Sequence, residues 1–155
     1  MSRADKIAWR KAAAADVPVI AAMAVDFYRH EHLEFIPRRF STALRGLIKS
    51  KSRGAVWVIE SGGNAVGYAI VCCGFSIEYG GVTGFLDEFY IAPSHRSRGI
   101  GSATLKFLRR AAVEQGWVAL LLEVVRGNRR ASKLYVRAGF SDTGRTLLTR
   151  RNRGR

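Results

Sequence analysis

The stretch from residue 55 to residue 92 does most to limit how this chain folds. It reads AVWVIE, the turn SGGN, and AVGYAIVCCGFSIEYG; a second glycine-rich turn, YGGVTG, then leads to FLDEFYIA, which Pro93 stops. β-Branched and aromatic residues fill the runs, and Gly62, Gly63 and Asn64 tolerate the positive φ that tight turns demand. The pattern predicts a hairpin followed by a further strand. The only two cysteines, Cys72 and Cys73, are adjacent within it. Neighbours on a strand point to opposite faces, which argues against a disulfide between them.

The flanks read as alternating helices and strands. KIAWRKA, residues 6–12, is a first strand. Asp16 is placed to cap a helix over 17–30 with Pro18 in its first turn, and Pro37 opens a second helical stretch through residue 50. After Pro93 comes RSRGIGSATLKFLRRAA, with apolar side chains at 100, 103, 107, 108, 111 and 112 at helical spacing and Gly116 as its stop. WVALLLEVV, residues 117–125, is apolar enough for a buried central strand. NRRASKLYVRAGF, residues 128–140, is a helix capped by Asn128 and stopped by Gly139; RTLLTR, residues 145–150, is a last strand. No repeat or linker interrupts the 155 residues, so one α/β domain over 1–155 is expected, with an arginine-rich tail from about 150.

A formal net charge of +14 attracts polyanions, whether a phosphorylated cofactor or nucleic acid. His30, His32 and His95 come with no cysteine pair at ligand spacing, so no metal site is expected. The start lacks the apolar core of a signal peptide and no run is long enough to span a bilayer, which gives a cytoplasmic expectation with no membrane partner.

Arg96, Arg98, Gly99 and Gly101 stand directly before a helix. Helix starts leave N–H groups unpaired and carry partial positive charge, so this loop can hold a phosphate or serve as a plain connection. No Gly-Lys-Ser/Thr follows, and the third glycine of the dinucleotide fingerprint is missing. Asn128 and Tyr135 lie seven residues apart, two helical turns, and so project from nearly one face.

Together these stretches resemble the GNAT superfamily of N-acetyltransferases. Arg96, Gly99 and Gly101 match its Arg/Gln-x-x-Gly-x-Gly/Ala motif; Asn128, Ala131, Tyr135, Gly139 and Phe140 match its Asn-x-x-Ala-x-x-x-Tyr-x-x-x-Gly-Phe pattern. The resemblance implies a mixed, mostly antiparallel sheet flanked by helices and splayed where acetyl-CoA, the co-substrate, enters. It implies that the backbone of Arg96, Ser97, Arg98, Gly99, Ile100 and Gly101 holds the pyrophosphate, with Ser102 and Asn128 completing the set. The main chain at Tyr90 and Ile91 would pair with the pantetheine arm. Tyr135 would protonate the leaving thiolate, and Glu88, with Asp87 as the alternative, would take the proton of the amine. Strand alternation sends Asp87 and Glu88 to opposite faces unless a bulge intervenes.

The implied activity is transfer of an acetyl group to a primary amine. The expected acceptor is a small molecule, polyamine-like or aminoglycoside-like, with a protein lysine or N-terminus as the alternative. Tyr28, Glu31, Glu34, Glu78 and Tyr79, with Asp87, are the candidate acceptor pocket, since acidic and aromatic groups hold cations. A homodimer is allowed. The competing classes are a basic nucleic-acid-binding module and a non-catalytic CoA sensor. Against the former, aromatic residues do not interleave with the basic ones as a stacking surface requires.

Overall fold

The computed structural model describes residues 6–152. Five strands form one sheet in the order β1-β2-β3-β4-β5: β1 Ile7–Lys11, β2 Gly54–Ser61, β3 Asn64–Ser76, β4 Gly81–Ile91 and β5 Ala119–Leu122. The first three junctions are antiparallel and β4/β5 is parallel. Four helices flank it: α1 Val17–His30, α2 Pro37–Lys49, α3 Ile100–Glu114 and α4 Arg129–Arg137. This is the mixed, mostly antiparallel arrangement that the motifs imply.

Strand alternation divides the core in two. Val56 and Val58 of β2 pack with Tyr68, Ile70 and the apolar stripes of α1 and α2. Ala55 and Trp57 face the other way, onto Ala69, Val71, Leu105 and Leu108 with α3. Each such large side chain removed from water contributes about 1.5–3 kcal/mol. Cys72 joins the first cluster and Cys73 the second, so both thiols are free and on opposite faces. Gly84 of β4 is needed for packing. A Cβ there would lie 2.6 Å from the Trp117 ring and 2.9 Å from Leu120 and Val71 side chains.

Three sequence expectations are corrected. WVALLLEVV is not a central strand: only Ala119–Leu122 pairs, at the sheet edge, and all four residues are half-buried. RTLLTR forms no strand, and Leu147 and Leu148 stand 65% and 87% exposed. A run of strand-forming residues becomes a strand only where another strand offers its N–H and C=O groups. Here the run is tied down instead by Arg145, which donates to Glu78 at the β3–β4 turn at 2.6 Å. Asp16 stands at the N-cap position of α1, but its side chain bonds no helix N–H there; it accepts from the Ala13 N–H and from Arg10. Residues 153–155 of the arginine-rich tail lie outside the described residues.

Candidate active site

The site begins where two strands part. β4 pairs with β5 only from Thr83 to Leu86, and beyond that no strand among the described residues lies beside its outer edge. A bulge starts the separation. Val71 pairs with Leu86 and Ile70 with Glu88, leaving Asp87 as the extra residue. The bulge changes which face each side chain meets. Leu86 packs on the α3 side, while Glu88 reaches the α1 side and bonds Tyr28 and Tyr68.

The gap is a cleft of about 990 Å³, with the outer edge of β4 as its floor and α1, the start of α3 and α4 as its walls. The Ala92 N–H donates to Val66 C=O at 2.8 Å, and Tyr90 pairs with Tyr68. Antiparallel alternation therefore turns the main-chain groups of Tyr90 toward β3 and those of Phe89 and Ile91 toward the cleft. This corrects the expected edge pair: Phe89 replaces Tyr90. The Tyr90 ring is buried, stacked on Tyr68 at 5.8 Å.

At the end of this edge stands the glycine loop. Gly99 is left-handed, φ 78°, and starts α3 without a side-chain cap. The first intrahelical bond is from Ala103 N–H to Gly99 C=O, so the amides of Ile100, Gly101 and Ser102 have no partner within the helix. Gly99, Gly101 and Ser102 line the cleft. The Ile100 side chain is buried with Ile59 and Val66, leaving only its amide for a ligand. Arg98 is exposed and does not line the cleft.

Arg96 behaves differently from a free anion-binding cation. Its Nε donates to Ile91 C=O at 2.7 Å, and its guanidinium lies 5.7 Å from the Tyr90 ring centroid. It fastens loop to strand. Ser97, at φ 63°, accepts from Arg130 Nη2 at 2.8 Å, which ties the same loop to α4. Gly101 permits the helices to meet, since a Cβ there would lie 3.2 Å from Leu134.

α4 supplies the opposite wall. Asn128 caps it, its Oδ1 accepting from the Ala131 N–H at 3.1 Å, and Tyr135 faces the same cleft two turns on. The Tyr135 ring packs edge-on against Phe140 at 5.9 Å. Burial pushes its phenol pKa up, and the charge of Glu31 adds to the shift. No side chain among the described residues bonds its hydroxyl.

Glu88 is 8% exposed and accepts from Tyr28 at 2.7 Å and Tyr68 at 2.8 Å. Burial raises its pKa most; the two phenols pull it down, and Asp87 pushes it up. Asp87 is also raised, by burial alone. Of the expected acceptor residues, Tyr28, Glu31 and Asp87 line the cleft with Glu88. Glu78 does not. It is held at the β3–β4 turn by Arg145, and Tyr79 shares that turn. Sequence reasoning missed Phe89, Tyr68 and Arg130, none of which carries a local signal.

The raised Glu88 pKa has a sign that thermal unfolding reads. Below the ordinary carboxyl pKa of 4.5, folded and unfolded chains both hold the proton. Above it the unfolded chain ionises first, so the fold loses this group's contribution as pH climbs through the raised value. Glu88→Gln removes the penalty. The melting temperature of the variant relative to wild type should therefore rise from acid toward neutral pH. A constant or shrinking difference would contradict the assignment.

Among the described residues, no group of three His, Cys, Asp or Glu is placed to hold a metal ion, and no helix is long and apolar enough to cross a membrane.

With this geometry in view, comparison with known proteins is decisive at the level of family. The acetyltransferase (GNAT) family matches residues 20–140. The chain belongs to the GNAT family. It is 28% identical to N-acetyltransferase 8F1 of Rattus norvegicus over 75% of this chain and 53% of that protein. It is 34% identical to thialysine N-epsilon-acetyltransferase of Bos taurus over 50% of this chain and 45% of that one. The chain thus spans about half the length of the curated relatives it matches.

Solved structures cover it more fully. An integron cassette protein from the mobile metagenome of Cole Harbour Salt Marsh is 33% identical, with a TM-score of 0.83 over 95% of this chain and 91% of that one. An aminoglycoside N-acetyltransferase in complex with CoA shares the fold at 16% identity, with a TM-score of 0.82 over 97% and 98% of the two chains.

Proposed function

We propose that this GNAT domain transfers the acetyl group of acetyl-CoA to the primary amine of a small molecule. The observation that carries the reading is the open β4 edge running into three unpaired α3 amides, with two carboxylates and a phenol facing the same cleft. The amides and the helix dipole bind the pyrophosphate. The outward main-chain groups of Phe89 and the Ile91 N–H orient the pantetheine arm along the strand, with the Ile91 carbonyl held by Arg96, and this brings the thioester to the bulge at Asp87.

An alkylamine arrives protonated, with a pKa of about 10. Glu88 takes that proton, directly or through water, while Asp87 holds the cation at the bulge. The amine nitrogen then attacks the thioester carbon, the C–S bond breaks, and the thiolate leaves. The second proton of the attacking nitrogen passes through water to restore the Tyr135 phenol after it has protonated the sulfur. Tyr135 donates its phenolic proton to the sulfur; its raised pKa keeps that proton on the oxygen until the thiolate forms.

The acceptor class has support from two directions. The carboxylates suit the polyamine-like or aminoglycoside-like acceptor expected from the sequence, in line with the aminoglycoside N-acetyltransferase that shares the fold. The relative named for thialysine, at 34% identity, points to an amino-acid-like amine. Free-thiol release from acetyl-CoA, followed across a panel of polyamines, aminoglycosides and amino acids, is the test. Amine-dependent release is expected. Tight acetyl-CoA binding without release for any amine would reduce the domain to a cofactor sensor.

A further inference from the structure

Glu88 meets the rest of the site through two phenols. Tyr28, from α1, donates to its Oε1 at 2.7 Å, and Tyr68, from β3, donates to its Oε2 at 2.8 Å. The donors differ in access. Tyr68 is fully buried, stacked on Tyr90 and edge-on to Phe27, and does not line the cleft. Tyr28 is half-buried and does line it. Phe27, Phe35 and Phe40 each meet the Tyr28 ring edge-on, at 5.7, 5.1 and 5.9 Å between centroids, so packing sets where its hydroxyl stands.

Other polar side chains around this pair are placed differently. Asp87 precedes Glu88 on β4 as the extra residue of the bulge, and burial raises its pKa. The Cys72 thiol of β3 is pushed up to about 11, chiefly by burial, so it keeps its proton at neutral pH. Tyr90 of β4 turns its hydroxyl to Asp26 at 3.4 Å. Arg39 of α2 forms no ion pair among the described residues, and its positive charge acts on the Tyr28 phenol.

We propose that the Tyr28 hydroxyl is the relay through which the acceptor amine loses its proton to Glu88. The inference rests on the acetyltransferase reading and gives the proton a path. The ammonium N–H donates to Tyr28 Oη while the phenolic O–H bond breaks toward Glu88 Oε1. One proton arrives as another leaves, so Tyr28 is a neutral phenol before and after. The ammonium becomes an amine with a free electron pair, and the carboxylate becomes a carboxylic acid. Moving both protons together avoids a phenolate, which burial and the charges of Glu88 and Asp87 oppose. Once the acetylated product leaves, the same path returns the proton to water. Tyr68 has a different part. Away from the cleft it cannot meet the amine; as a positioning residue it holds Oε2 so that Oε1 stays aimed at Tyr28.

The test is a pair of pH–rate profiles, for Tyr28→Phe and Tyr68→Phe. Thiol release from acetyl-CoA is followed with the amine that wild type turns over fastest in the panel of polyamines, aminoglycosides and amino acids. Each variant keeps its ring, and circular dichroism checks that each folds. Both should carry the acid limb of kcat/KM to higher pH, because each loses a donor that favours ionised Glu88. Only Tyr28→Phe should also lower kcat on the neutral plateau, by about a hundredfold, the scale of proton-transfer catalysis. That defect should narrow toward pH 10, where about half of an alkylamine is already free. The Michaelis constant for acetyl-CoA should not move. A wild-type plateau in Tyr28→Phe, or an equal plateau loss in Tyr68→Phe, overturns the relay and leaves acetyl transfer intact. A full plateau in Glu88→Gln overturns it from the other end. If no amine draws thiol from wild type, the acetyltransferase reading fails and takes the relay with it.

Discussion

Gly99→Val is expected to weaken acetyl-CoA binding about a hundredfold or more while the fold survives. The loss has two sources. Gly99 occupies the left-handed region at φ 78°, where a β-branched residue costs on the order of 1–3 kcal/mol. Its absent side chain would also point into space with no protein atom within 4 Å, at the mouth of the cleft. In the proposed site that empty space is where a pyrophosphate approaches the amides of residues 100–102. A valine fills it. The strain stays local because Gly99 is exposed and precedes the helix core. Calorimetric titration with acetyl-CoA measures the effect, and circular dichroism monitors the fold. Gly144→Val is the control: it also has positive φ, 70°, and an open surrounding, and it lies in the exposed segment after α4. Wild-type affinity in Gly99→Val, or equal loss in both variants, would remove the loop from the binding site.

Tyr135→Phe should lower the maximal rate by roughly 10²-fold, the scale of general acid catalysis, with little change in melting temperature. The ring keeps its contact with Phe140, and the hydroxyl makes no hydrogen bond whose loss the fold would feel. Burial and the charge of Glu31 hold the phenol protonated above its ordinary pKa of 10. Wild type should therefore keep its acid across the neutral and mildly alkaline range. The Michaelis constant for acetyl-CoA should move little, because in the proposed mechanism the hydroxyl acts only on the departing sulfur. Single-turnover thiol release separates this step from binding. A full rate at every pH in the phenylalanine variant would leave Tyr135 as a packing residue.

The sequence by itself determined what depends on neighbours along the chain. The strand runs between 55 and 92, the glycine stops at Gly116 and Gly139, the Asn128 cap and the left-handed Gly99 before α3 all follow from local backbone chemistry. Those local signals, taken in order, carried the family resemblance and the first outline of the cofactor cleft. Tertiary structure decided what depends on a partner strand or a distant side chain. Alternation in the sequence separates the faces of β4, but only its register with β3 shows that the main-chain groups of Phe89 and Ile91, rather than those of Tyr90, turn outward. Only that pairing reveals the bulge at Asp87, which carries Glu88 to the two phenols of Tyr28 and Tyr68. In the sequence Arg96 belongs to a phosphate-loop motif and Glu78 to a candidate acceptor pocket. One is drawn to the Ile91 carbonyl and the other to Arg145, sixty-seven residues away. RTLLTR has the pattern of a strand, yet it stays unpaired, because a strand's hydrogen bonds belong to the pair and no single segment can encode its partner's position.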